Sequence, residues 1–278
     1  MSRFGPVVFM GLNFFRYTKS MKFDCHMHTP LCGHAIGTPL EFLKAAKEKG
    51  LKLITITCHV PIDLPEFGGP RIRMPESEFP NYLAWVNQAR EIGQAMGIDV
   101  LYGIEGEIFP ENHIQSRIGD FITRENFDYV LGSLHHQLPS YRNHIDSRGR
   151  MKDSEIIEGY FLEVCEGART GIFHSIAHPD VIRIYGTVQP FDPSDYEKVI
   201  REFLKVCHQT DTCIEVNTSG LTKGIFEIHP DPIIMKWAKE EEVELTIGSD
   251  AHMPQSVGQF FDKALNLIKI AGHDHLNY

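Results

Sequence analysis

Lys22-Phe-Asp-Cys25-His26-Met-His28 decides how this 278-residue chain is read. A short, mostly apolar run ends on two histidines, and the same design returns six more times. Leu51–Cys58 runs into His59, Val100–Ile104 into Glu105, Tyr129–Leu134 into His135, and Ile172–Ala177 into His178. Thr212–Val216 leads to Asn217, and Val243–Ser249 to Asp250 and His252. Six of these seven endings offer good metal ligands. Side chains from distant segments converge at the C-terminal strand ends of an α/β barrel. Ligands placed there repeatedly describe a multinuclear metal centre, the equipment of a metal-dependent hydrolase.

Helical patterns alternate with the runs. Thr38-Pro39-Leu40-Glu41 is a capping box with Pro at the first helical position. Phe42, Leu43, Ala45 and Ala46 form the apolar face, and Gly50 closes the helix. Further helices are predicted over Glu78–Met96, Asp153–Arg169, Pro193–His208, Pro230–Glu242 and Gln255–Ala271. This alternation implies parallel strands joined by right-handed crossovers. Seven strands favour a closed or nearly closed barrel, because an open doubly wound sheet would gather its ligands at one switch point. Two segments interrupt the rhythm. Pro61–Pro80 carries five prolines, Gly68-Gly69, Arg71 and Arg73, and reads as a long loop at the catalytic end of the second strand. Gln137–Lys152 is a second, polar insertion.

Composition narrows the partners. The chain is 42% hydrophobic with a formal net charge of −10, which disfavours nucleic acid and anionic membranes as major partners. The six cysteines show no CxxC spacing and read as free thiols of a reducing, cytoplasmic compartment. The mostly apolar stretch from Phe4 to Phe15 is too short for a membrane span. Residues 1–20 read as an N-terminal extension, non-native or loosely ordered, with Met21 as the start of a single domain over 21–278.

His26 and His28, two apart at a strand end, share one face and can hold one ion. Asp250 and His252 repeat that spacing, and Glu105 offers a carboxylate able to bridge two cations. A second His-x-His pair, His273 and His275, lies in the terminal segment and reads as incidental. His136 and His229 fall nearest the site among the remaining histidines, but neither is expected to be a ligand.

His26-Met-His28-Thr-Pro-Leu-Cys-Gly-His34 resembles the first motif of the PHP (polymerase and histidinol phosphatase) superfamily. Thr57-Cys58-His59, Gly103-Ile-Glu105 and Gly132-Ser-Leu-His135 resemble the next three. Ala177-His178-Pro179 and Gly248-Ser-Asp250-Ala-His252 complete the set in order. Glu215-Val-Asn217-Thr-Ser-Gly-Leu221 is similar to the histidinol-phosphate phosphatase branch. The resemblance implies a distorted (β/α)7 TIM-like barrel holding two or three divalent metal ions. By motif, His26, His28, Glu105 and Asp250 would hold the first; His34, His59 and His252 the second; Glu105, His135 and His178 the third. Zinc, manganese and iron all suit such imidazole–carboxylate shells.

The implied reaction is hydrolysis of a small phosphorylated metabolite, foremost L-histidinol phosphate, by a metal-bridging hydroxide, with Asp250 or His252 relaying a proton. Lys223, Asn217, Arg183, Arg71 and Arg73 are the candidate phosphate contacts. Two departures stand out. Relatives carry an acidic residue where Cys58 precedes His59, so Cys58 is expected to alter how that ligand is oriented. They also favour Arg after the Ser-Gly-Leu turn, where this chain has Thr222-Lys223, and Lys lacks the bidentate fork. The competing readings are an amidohydrolase and a non-catalytic metal-binding module. An amidohydrolase typically uses a carboxylated Lys where Glu105 stands.

Overall fold

Seven strands pair in parallel in chain order: β1 (Phe23–Met27), β2 (Leu53–Ile56), β3 (Asp99–Glu107), β4 (Tyr129–Ser133), β5 (Ser175–Ile176), β6 (Cys213–Asn217) and β7 (Leu245–Gly248). The computed structural model describes residues 22–64, 67, 71–184 and 188–277. The expected extension over 1–20 and the start at Met21 lie outside the described residues. β1, β2, β4, β5, β6 and β7 are buried along their whole lengths, as parallel strands covered on both faces must be.

The sheet curls until its first and last strands meet, giving a nearly closed, distorted (β/α)7 barrel. His28 N–H donates to Ala251 O at 2.9 Å and Ala251 N–H to His26 O at 3.3 Å, just past the end of β7. Asp24 pins the same seam. Its carboxylate accepts from the backbone N–H and hydroxyl of Ser249 and from Gly258 N–H. The seam therefore fixes the end of β1 against Asp250 and His252.

Helices α1 (Pro39–Glu48) and α2 (Phe79–Met96) follow the first two strands. The expected capping box of α1 is present: Glu41 N–H donates to Thr38 Oγ1, and Thr38 N–H to Glu41 Oε2. Sequence reasoning passed over α3 (Asn112–Glu125), although Ile114, Ile118 and Ile122 recur every four residues along its buried face. The polar insertion contains a further helix, α4 (Pro139–Ser147), anchored by buried Tyr141 and Ile145. The remaining helices are α5 (Asp153–Arg169), α6 (Glu197–Gln209), α7 (Pro232–Glu240) and α8 (Phe261–Ile270). α8 starts six residues later than the predicted Gln255, because Gly258 and Phe260 adopt φ of 60° and 56° and break the helical path. β5 is shorter than its apolar run, with only Ser175 and Ile176 in the ladder.

Candidate metal centre

Every expected ligand leaves the barrel at the same end. His26 and His28 lie at the end of β1, with His34 beyond the following 3₁₀ turn. His59 extends the line of β2 and forms a parallel bridge with Glu105 in β3. His135 and His178 follow β4 and β5, and Asp250 and His252 follow β7. Two of these residues sit in the left-handed backbone region, His178 at φ 30° and Asp250 at φ 52°. Such conformations cost about 1–3 kcal/mol and persist where surroundings overdetermine them. At His178 the hold is visible, since its N–H donates to Glu215 Oε2 at 2.9 Å.

Glu105 is the hub. Its Oε1 lies 3.3 Å from His178 Nε2, 3.5 Å from His135 Nε2 and 3.7 Å from His26 Nε2. Its Oε2 lies 2.6 Å from His59 Nδ1 and 3.7 Å from His28 Nε2. Both oxygens are buried without a geometrically formed hydrogen bond. Burial pushes this carboxyl up, but His59, His26 and His135 outweigh it and hold it well below the usual range. A buried carboxylate ringed by imidazole nitrogens is costly unless cations sit among them, so these residues fit divalent ions. Ligand-type atoms of His26, His28 and Glu105 lie within 4.8 Å of one another, as do those of His59, Glu105 and His135, and of His28, His59 and His252.

The imidazoles are aimed from behind. His26 Nδ1 faces Glu215 Oε1 at 2.8 Å, and His135 Nδ1 faces Glu107 Oε2 at 2.9 Å. His34 Nδ1 meets Cys32 O at 3.1 Å, and His252 Nδ1 meets Asp250 O at 3.0 Å. Each acceptor favours the proton on Nδ1 and leaves the Nε2 lone pair free for an ion. Glu107 and Glu215 stand behind two of these rings, and the sequence reading gave them no role. Two signals were available: Glu107 stands two from Glu105 on the same face of β3, and Glu215 interrupts an apolar run. Gly248 makes room for one of them, since a Cβ there would lie 1.9 Å from Glu215 Oε1 and 2.6 Å from His26 Cβ.

Asp250 divides its oxygens. Oδ1 faces His28 Nε2 at 3.1 Å and His26 Nε2 at 3.6 Å, while Oδ2 accepts from Ser219 Oγ at 2.9 Å and Lys223 Nζ at 3.3 Å. Burial opposes the charge on Asp250, but Lys223, His26 and His28 hold its carboxyl well below the ordinary value. Burial likewise opposes a proton on His28, yet Asp250, Cys58 and Glu105 raise it to about 9. Burial lowers His252 to about 3.

The phosphate contacts expected from the sequence fare unevenly. Lys223 reaches the centre through Asp250. Asn217 is buried and committed at both ends, donating to Glu215 Oε2 and accepting from Ser219 N–H, so it braces Glu215. Arg183 is neutralised by Asp180, Glu227 and Asp231 and also donates to Ile228 O. Arg73 is buried and saturated by Phe67 O, Val60 O and Glu107. Arg71 is exposed, with no hydrogen bond or ion pair to another described residue. Of the nearby histidines, His136 Nε2 is taken by Ile184 O and His229 Nδ1 by Asp180 Oδ1. The Cys58 thiol lies beside His28 and Cys32, their ligand-type atoms within 4.8 Å of one another, and it accepts from Thr29 Oγ1. Burial raises this thiol, but Cys32 and His28 hold it well below its ordinary value.

The barrel and its ring of imidazoles and carboxylates define a metal-dependent hydrolase. Residues 24–219 match the PHP domain family. A Deinococcus radiodurans protein named "Probable histidinol-phosphatase" is 32% identical over 257 residues, covering 90% of this chain and 93% of its own. A "Probable phosphatase" of Caldanaerobacter subterraneus is 32% identical over 251 residues, covering 88% and 82%. The crystal structure of histidinol phosphate phosphatase from Lactococcus lactis, complexed with zinc, L-histidinol and phosphate, superposes with a TM-score of 0.72. It is 20% identical and covers 92% of this chain and 95% of its own, which speaks for the shared fold. This chain belongs to the PHP family and is a metal-dependent phosphatase.

Proposed function

We propose that this phosphatase hydrolyses a small phosphomonoester, foremost L-histidinol phosphate, at a centre of two or three divalent ions. The observation that carries this reading is Glu105, a buried carboxylate whose two unpartnered oxygens face five imidazoles, beside a lysine that reaches in from a partly exposed rim. The identity to the Deinococcus protein across nine-tenths of the chain supports the choice of substrate.

In this reading His26, His28, Glu105 and Asp250 hold one ion; His34, His59 and His252 a second; and Glu105, His135 and His178 a third. Zinc, manganese and iron all suit these donors. When bound, such ions supply Lewis acidity toward phosphoryl oxygens and a water-derived nucleophile at neutral pH. The chain supplies the rest. Glu215 and Glu107 keep protons on the Nδ1 atoms of His26 and His135, so both rings present Nε2 inward. Ser219 and Lys223 hold Asp250 by Oδ2, which leaves Oδ1 facing the centre. The ammonium of Lys223 is the cationic contact for the substrate phosphate. Proton relay falls to Asp250, whose Oδ2 already sits in hydrogen bonds with Ser219 and Lys223. His252, lowered to about 3 by burial, is neutral and suited to ligation.

Among the described residues no helix is long and apolar enough to cross a membrane. All six cysteines are free and buried, which supports a reducing, cytoplasmic setting. Assay of the metal-replete protein against phosphomonoesters, phosphodiesters and amides tests the reading. Turnover should be confined to monoesters and fastest with L-histidinol phosphate. Activity on diesters or amides alone would overturn it.

A further inference from the structure

Arg73 lies between β2 and α2, yet it is only 1% exposed. A guanidinium cannot be left unpaired at that depth, and each part of its fork is used. Nε donates to Phe67 O at 2.8 Å, Nη1 to Val60 O at 3.2 Å, and Nη2 to Glu107 Oε2 at 2.8 Å. Its planar head also lies over the Phe67 ring, 5.6 Å from the centroid. Glu107 passes the contact on. The same Oε2 faces His135 Nδ1 at 2.9 Å, while Oε1 accepts His135 N–H at 3.0 Å. His135 Nε2 then points at Glu105 Oε1, 3.5 Å away. A line of charged hydrogen bonds thus runs from Arg73 through Glu107 to His135, whose Nε2 faces the hub of the centre.

We infer that Arg73 is a positioning residue: acting through Glu107, it sets the orientation of His135 and ties the backbone at Val60 and Phe67 to the ion that His135 holds with Glu105 and His178. This rests on the ligand assignment proposed above. The physical reason is geometric. Glu107 Oε2 accepts from Arg73 Nη2 while it faces His135 Nδ1, and the guanidinium is itself fixed by two backbone carbonyls. Arg73 thereby fixes the carboxylate that aims the ring. Without Arg73, Glu107 loses that anchor and His135 Nδ1 loses an acceptor held in place. Lys would restore the charge but could not reach Phe67 O, Val60 O and Glu107 together, because it lacks the planar fork.

The test reads metal content, so it stands apart from the choice of substrate. Ions per chain and their dissociation constants are measured by chelator competition on variants whose fold is checked by circular dichroism. Arg73→Met should weaken one ion by about 10- to 100-fold and leave the others unchanged. Arg73→Lys should recover part of that loss. Glu107→Gln should weaken the same ion, and Arg73→Met combined with Glu107→Gln should be no worse than Glu107→Gln alone, since both break one line. Wild-type affinities in Arg73→Met, or additive losses in the double variant, would overturn the inference. Should Arg73→Met fail to fold, Arg73→Lys and Glu107→Gln carry the test, and unequal ions affected by the two would refute it. If His135→Ala leaves metal content unchanged, the ligand assignment itself fails and the positioning role falls with it.

Discussion

Replacing Gly248 by alanine should dismantle the support behind His26, because the added Cβ would crowd both Glu215 and, at 2.6 Å, His26 Cβ, while no proposed ligand is itself replaced. The added Cβ would lie 1.9 Å from Glu215 Oε1, so the carboxylate must retreat by about 1.5 Å to reach ordinary contact. That retreat breaks the 2.8 Å contact with His26 Nδ1 and strains the 2.9 Å bonds from His178 N–H and Asn217 Nδ2. A hydrogen bond to a charged group is worth about 1.5–3 kcal/mol, which corresponds to roughly a 10- to 150-fold change in an equilibrium constant. Loss of the carboxylate behind a metal-binding histidine typically costs about 10- to 100-fold in affinity, in agreement with that range. Metal titration of Gly248→Ala should therefore show at least one ion weakened by one to two orders of magnitude. Glu215→Gln preserves shape and removes only charge, so it should weaken the same ion without the steric clash. Unchanged affinity in both variants would refute the argument that Glu215 positions His26.

Three further outcomes follow from the same geometry. Lys223→Ala should lower kcat/KM on phosphomonoesters about 10- to 150-fold with metal content intact, because Ser219 still holds Asp250 Oδ2; full activity on every monoester tried would discard the lysine as phosphate contact. Cys58→Asp should shift metal affinity or preference about 10- to 100-fold through His28, which the thiol faces, and identical titration curves would remove that role. Metal affinity should keep rising with pH up to about 9, by roughly tenfold per unit for each proton displaced. Burial opposes protonation of His26 and His28, but neighbouring carboxylates raise both, so the metal-free centre holds protons that an entering ion must expel. Acidification strengthens that competition and weakens binding; titrations that level off above pH 7 would contradict it.

The barrel was legible because its signals are local. Strand ends are marked by where apolar runs stop, and a spacing of two puts His26 with His28 on one face whatever lies nearby. Helix α1 was legible for the same reason, since Thr38, Pro39 and Glu41 cap it within four residues. Helices α3 and α4 were passed over: their apolar residues are sparse within polar stretches, and burial against the barrel makes those few decisive. The roles of charged side chains needed the tertiary structure. Arg73 and Arg183 read as candidate phosphate contacts, but one is spent on Glu107 and two carbonyls, and the other on Asp180, three residues before it, and on Glu227 and Asp231 from a distant segment. Cys58 is adjacent to His59 in sequence yet its thiol lies beside His28, because neighbours along a strand point to opposite faces while β1 lies beside β2. Residue type and spacing determine which groups can bind an ion. Which groups hold those ligands in place is decided sideways, across strands and loops far apart in the chain.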